Sequence, residues 1–318
     1  MSGSALIAIG GNSLIRAGEK GTVAEQLANA RRVSEGVVAL LKQGWRMVIT
    51  HGNGPQVGAA LLRSERAAGQ VYEQGLDVCV ATTQGEIGYI LQQSLQLEIR
   101  RAGLPHEVAA ILTQVVVDAD DPAFRNPTKP VGPFLSRGAA EEKSRLFGWV
   151  MAEDAARGYR RVVPSPEPLE IVEEELIRRI LGQGILTVAV GGGGIPVVRE
   201  NGLLRGVDAV IDKDRASALL AQRLPVDLLV FSTGAEYVYL NYRKPGQRAV
   251  IRAGVTEMRG YHEAGHFPPG SMGPKIESAI RFLEGGGKKV IVTSDEHLVE
   301  AFQGSAGTHI VPDSEVGG

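Results

Sequence analysis

Ile185-Leu186-Thr187-Val188-Ala189-Val190-Gly191-Gly192-Gly193-Gly194-Ile195-Pro196 is an apolar, β-branched run that stops at four consecutive glycines. A run of that length bounded by glycine reads as a buried strand feeding a tight turn. The same sentence is written twice more upstream. Ala5 to Ile9 runs into Gly10-Gly11-Asn12, and Arg46 to Thr50 runs into His51-Gly52-Asn53-Gly54-Pro55. Three strands that each end in glycine set the frame for the rest of the chain.

Between and beyond them the apolar period changes from strand to helix. Val23, Leu27, Val33, Val37, Leu40 and Leu41 recur at helical spacing over Val23 to Lys42, with Gly44 as the cap. Helices are expected at about Gln56 to Ala68, Asp77 to Arg101, Glu141 to Ala156 and Ile171 to Leu181. Further helices open at Asp212-Lys213-Asp214, running through Leu224, and at Gly270-Ser271-Met272-Gly273-Pro274-Lys275. An apolar run covers Val108 to Val117, and strands are expected over Asp227 to Ser232, Tyr237 to Asn241, Lys289 to Thr293 and Thr308 to Val311, with a helix at His297 to Phe302 and an extended return at Arg160 to Pro168. Strands alternating with helices indicate an α/β fold, an open, mostly parallel twisted sheet sandwiched by helices. Asp118 to Ala139, rich in Asp, Pro, Gly and Asn, is too long for an ordinary connection. It reads as a small protruding lid. The chain is expected to be one domain over 1–318, with an amino-terminal lobe over 1–210 that includes a lid excursion at about 118–160, and a second lobe over 211–318.

Composition narrows the class. Of 318 residues 43% are hydrophobic, enough for one large core or two lobes sharing a sheet. A net charge of −2, with Lys and Arg spread along the chain, leaves no electrostatic footprint for nucleic acid or an anionic membrane. A single cysteine, Cys79, excludes a disulfide framework and a cysteine-rich zinc site. Met1 to Ile9 lacks the basic flank and long apolar run of a signal peptide, and no stretch nears the roughly 18 apolar residues of a membrane span. The expected location is the cytoplasm.

In open parallel sheets, ligands gather at the carboxyl ends of strands, where backbone N–H groups and helix N-termini converge. Glycine lets that backbone approach an anion closely. One glycine loop can be a turn and nothing more, but three at three such ends suit a phosphate. The familiar motifs fail: Gly285-Gly286-Gly287-Lys288-Lys289 lacks the Ser or Thr of a P-loop and precedes a strand, and Gly52, Gly54 and Gly58 miss the dinucleotide spacing. Three lysines carry more weight. Lys213 sits between two carboxylates at a helix start, where either could orient the ammonium and one could hold Mg²⁺. Lys275 occupies a first helical turn, unfavourable for a cation unless an anion is bound there. Lys129 stands in the lid. The six histidines show no metal spacing, and no Ser-His-Asp arrangement is present. An acceptor that is already an anion needs no general base, and transfer then rests on positioning and charge.

Together these loops, with Lys129-Pro130, Gly132-Pro133 and Arg161-Val162-Val163-Pro164-Ser165-Pro166, resemble the carbamate kinase family of the amino-acid kinases over almost the whole chain. The resemblance implies a homodimer that transfers phosphate between carbamoyl phosphate and ADP, giving ATP and carbamate, in arginine or related nitrogen breakdown. It implies that the first lobe holds carbamoyl phosphate and the second the nucleotide with Mg²⁺. Gly10, Gly11, Asn12, Gly52 and Asn53 would bind carbamoyl phosphate, with Lys129, Lys213 and Lys275 catalytic. Asp212, Lys213, Asp214, Tyr242, Met272, Pro274 and Lys275 would serve the nucleotide, Asp214 ordering the lysines or the metal. Ser13, Leu135, Arg243 and Asp295 depart from the family pattern. Two other readings stay open: a related kinase phosphorylating another carboxylate, and a nucleotide-binding sensor that does not turn over.

Overall fold

A computed structural model describes residues 3–16, 18–153, 158–268 and 270–316. Its central sheet has eight strands in the order Arg252–Gly254, Thr308–Val311, Lys289–Ser294, Leu228–Thr233, Ser4–Ile9, Arg46–His51, Leu186–Val188, Val108–Ala110. Every neighbouring pair is parallel except Lys289–Ser294 with Thr308–Val311. The three glycine-terminated strands are adjacent, so their loops emerge side by side.

The strands lack polar alternation because both of their faces are covered. Leu6, Ala8, Val48, Leu229 and Phe231 point into one core. Their neighbours Ala5, Ile7, Ile9, Met47, Ile49 and Val230 point into the other. The second core is closed by helices Val23–Lys42, Leu76–Arg101 and Leu298–Gln303, which contribute Val37, Leu40, Ile87, Leu91 and Leu298. The first is closed by Glu174–Gly182, Lys213–Arg223, Val255–Glu263 and Met272–Glu284, through Ile177, Leu220, Met258, Ile276 and Phe282. Helix Val23–Lys42 begins at a capping box in which Thr22 and Glu25 satisfy each other's backbone N–H groups. Gly44 follows it at φ +83°, donating to the Leu41 carbonyl.

Several sequence expectations are corrected. The apolar run Val108 to Val117 is two strands in two sheets: Val108–Ala110 edges the central sheet, and Gln114–Val117 joins a second sheet with Leu203–Gly206, Ile195–Glu200 and Pro168–Ile171. The chain changes sheet at Thr113. The helix expected at Ile171 starts instead at Glu174, because Pro168–Ile171 pairs with Gln114–Val117. The helix expected over Glu141 to Ala156 runs Arg137–Phe147. The Ser136 hydroxyl caps it earlier and Gly148, at φ +65°, ends it; Met151–Glu153 then turns to strand, and Ala156 lies outside the described residues. The strand expected to reach Val190 pairs only over Leu186–Val188.

The stretch 118–160 holds more order than its composition suggests. Lys129–Leu135 pairs with Tyr159–Val163, which pairs with Met151–Glu153, and the register slips between Val131 and Leu135. Pro130 and Pro133 are tolerated because their strand is the edge of this small sheet. The sheet is pinned by Lys143, which pairs with Glu65 at 3.0 Å, and by Trp149, whose ring is approached by both Lys143 and Arg161. Gly58 and Gly132 bring helix Gly54–Arg66 and the lid strand into backbone contact: a Cβ on Gly58 would stand 2.5 Å from the Gly132 nitrogen.

Candidate active site

Helix Lys213–Arg223 starts at the carboxyl edge of the sheet because Asp212 caps it, accepting from the N–H groups of Asp214 and Arg215. That start throws Lys213 back across the end of the first strand. Its ammonium donates to the Ile9 carbonyl at 2.8 Å, just before Gly10-Gly11. The Gly52 N–H donates to the same carbonyl at 3.1 Å. Gly52 must be glycine, since a Cβ there would meet the Gly11 nitrogen at 2.9 Å. The first two glycine loops and Lys213 therefore share one point in space.

The other two lysines arrive from distant segments. Lys275, in helix Met272–Glu284, donates to Asp214 Oδ2 at 2.9 Å. Lys129, in the lid strand, donates to Asp212 Oδ2 at 2.6 Å. Asp214 also faces Lys213, its Oδ1 3.4 Å from the ammonium without hydrogen-bonding geometry. The two carboxylates that flank Lys213 in sequence thus serve different lysines in space. The unfavourable place of Lys275 near a helix start, read in the sequence as a sign of a bound anion, has a resident partner in Asp214.

Electrostatics set the charge states. Burial disfavours the charge on Asp212, but the adjacent Lys129 ammonium and its hydrogen bond win and hold the carboxyl well below its usual range. Burial pulls the Lys213 ammonium down from its ordinary value, helped by Lys275 and opposed by the Asp214 charge. His51 is pushed down to about 4 by burial, with the Lys213 charge adding to the shift and a hydrogen bond to the Gly52 carbonyl opposing it. At neutral pH it is an uncharged packing group. Three ammonium groups against two carboxylates leave a positive surplus, which suits a phosphoryl group carrying several negative oxygens.

The family model for the amino acid kinase family matches residues 4–294. The chain is 46% identical to a carbamate kinase of Pyrococcus horikoshii, over 96% of this chain and 98% of that protein. It is 48% identical to carbamate kinase 1 of Enterococcus faecium, over 92% and 94%. The chain belongs to the carbamate kinases of the amino acid kinase family. A solved structure of the carbamate kinase from Giardia lamblia bound to AMP-PNP superposes with a TM-score of 0.91 at 41% identity, covering 98% of this chain and 99% of that one.

The remaining candidate residues of this amino acid kinase are less tightly gathered. Gly10 and Gly11 lie at the 3₁₀ turn Gly11–Ser13; the Asn12 side chain lies outside what the structure describes. Asn53 is buried, its amide donating to the Thr83 hydroxyl at 2.9 Å. Met272 and Pro274 open the helix that carries Lys275, Met272 packing on the core beneath. Tyr242 sits past the strand Val238–Leu240, 44% exposed, against Tyr239 and Arg243 rather than any of the lysines. Arg243 adopts φ +59°. A cleft of about 490 Å³ backs onto the loops, lined by His51, Gln84, Tyr89, Leu112 and Gly191, but none of the three lysines reaches it. Sequence reading passed over Thr83, Gln84 and Thr113, since polar residues within apolar runs carry no signal until the fold shows what they touch.

Proposed function

We propose that this carbamate kinase carries out ADP + carbamoyl phosphate ⇌ ATP + carbamate by in-line transfer over the lysine cluster. The observation that carries this reading is the convergence of Lys213, Lys275 and Lys129 on Asp212 and Asp214 beside the Gly11 and Gly52 backbones. Gly10, Gly11, Asn12, Gly52 and Asn53 would seat carbamoyl phosphate. Helices Lys213–Arg223 and Met272–Glu284 would present ADP, with Met272 and Pro274 in its pocket and Tyr242 towards the base. The lysines offset the charge that spreads over the transferring phosphoryl oxygens, and no proton need be removed from an anionic acceptor.

Mg²⁺ fits this site as a passenger of the nucleotide. Among the described residues no group of three or more His, Cys, Asp or Glu could cage a metal. Asp214 Oδ1 is buried without a hydrogen-bond partner, 3.4 Å from the Lys213 ammonium, and would help hold the ion while nucleotide phosphates and water supply the rest. Bound there, Mg²⁺ would neutralise phosphate charge. Among the described residues no helix is long and apolar enough to cross a membrane. The proposed setting is the cytoplasm, in arginine or related nitrogen breakdown. A homodimer fits the exposed Tyr89 and Leu112 beside the unpaired outer edge of Val108–Ala110.

The test is a coupled assay of ATP formation from ADP and carbamoyl phosphate, run beside ATP consumption with acetylglutamate and other carboxylates. ATP formation only with carbamoyl phosphate is expected. Phosphorylation of another carboxylate, or ADP binding without turnover, would overturn the reading.

A further inference from the structure

Val190 is a β-branched residue held at φ 51° and ψ 38°, in the left-handed region that such side chains avoid. A backbone of that kind persists only where its surroundings impose it. Here the surroundings are two buried polar residues outside the lysine cluster, Thr113 and Gln84. The Thr113 hydroxyl accepts the Val190 N–H at 3.0 Å and donates to the Ile111 carbonyl at 2.9 Å. The Thr113 carbonyl accepts the Ile195 N–H at 2.8 Å. One residue, placed where the chain changes sheet, grips both ends of the third glycine loop.

Gln84, about a third of the way along helix Leu76–Arg101, closes the arrangement. Its Oε1 accepts the Thr113 N–H at 2.8 Å, and its Nε2 donates to the carbonyls of Thr113 at 3.0 Å and Gly191 at 2.9 Å. The loop so held is pressed against the second glycine loop. A Cβ on Gly191 would stand 2.5 Å from His51 Nε2, and one on Gly192 would stand 2.2 Å from Asn53 Nδ2. Any relaxation of Val190 towards ordinary β backbone would move Gly191 and Gly192 and so release or displace Asn53.

We propose that Thr113 and Gln84 are positioning residues, a clasp that holds Val190 left-handed so that Gly191 packs against His51 and Gly192 braces Asn53 in its substrate-binding arrangement. The substrate affected follows from the reading of the Asn53 loop as the seat of carbamoyl phosphate. Thr113→Val keeps the shape and removes the hydroxyl. It is expected to raise KM for carbamoyl phosphate about tenfold while changing KM for ADP less than about twofold, the size of effect that loss of a buried hydrogen bond supports. Thr113→Ser, which keeps the hydroxyl, should restore the KM.

A double-mutant cycle distinguishes a clasp from mere packing. Glycine adopts positive φ freely, so in a Val190→Gly background Thr113→Val should raise KM by less than about threefold. An equal penalty in both backgrounds, or an unchanged KM in Thr113→Val, would overturn the clasp. Hydrogen exchange across residues 189–195 gives a readout independent of substrate: it should be faster in Thr113→Val than in wild type or Thr113→Ser, and equal rates would also overturn the proposal. Should wild-type protein form no ATP from carbamoyl phosphate, the substrate reading fails and the exchange comparison still decides the clasp.

Discussion

Lys275 and Lys213 show how position confers a role on an ordinary side chain. Each ammonium is nearly buried, with 10% and 12% of its side chain exposed, and each is compensated by Asp214 at close range. On the proposed function, removing either lysine takes away a preorganised positive charge beside the transferring phosphoryl group. Lys213→Ala and Lys275→Ala are each expected to lower kcat by about 10²–10³-fold, read from ATP formation at saturating substrates. Near-normal turnover in both variants would remove the lysines from the mechanism. His51 makes a prediction of a different sort. Its folded pKa, about 4, lies below the ordinary value of 6.5, so between those values the unfolded chain binds more protons than the folded one. The contribution is fully present above pH 6.5 and is lost as the pH falls through 4, amounting to about 3 kcal/mol in all. Urea unfolding at pH 7 and pH 4 measures it; a His51→Gln variant should lose less stability over that interval than wild type does, and equal losses would contradict the assignment.

At the scale of elements, the contact between helix Gly54–Arg66 and the lid strand depends on two glycines facing each other. Both partners are backbone, so neither can swing aside for a new methyl group. Gly58→Ala is expected to cost about 1–3 kcal/mol by denaturant unfolding, as overpacking does, and to weaken the Lys129–Asp212 pair by shifting the strand that carries Lys129. Unchanged stability and unchanged KM for carbamoyl phosphate would mean that the strand is not seated this way. Reading elements from sequence succeeded where one period dominated. Val23–Lys42 matches its expected bounds, because a wide apolar stripe, a capping box and a following glycine all agree. It failed where tertiary pairing overruled local pattern. Thr113 and Gln114 are the polar pair inside Val108 to Val117, but both halves of the run are strand, so their polarity alone does not mark a change of sheet. Likewise Pro168–Ile171 is extended because Gln114–Val117 lies beside it, a partner more than fifty residues away in sequence.

For the whole molecule, the cluster joins five segments far apart in the chain: the loops after the first two strands, the lid strand, and the starts of two helices in the carboxyl-terminal part. The lid lysine meets Asp212, which ties the lid to the helix that opens the carboxyl-terminal part of the cluster. Hydrogen exchange across Asp118 to Ala139 is expected to slow when ADP and carbamoyl phosphate are both bound, with little change for either alone. The same protection with and without ligands would count against closure. What the sequence determined by itself was local: strands that end in glycine, helices with caps, and three lysines in unusual settings, all readable because backbone freedom and apolar period are properties of neighbouring residues. What only the tertiary structure decided was which carboxylate answers which lysine and how Thr113 and Gln84 hold the third glycine loop. Those contacts join residues about 30 to 110 positions apart, and distance along a chain says nothing of distance in space until both cores have closed around the sheet.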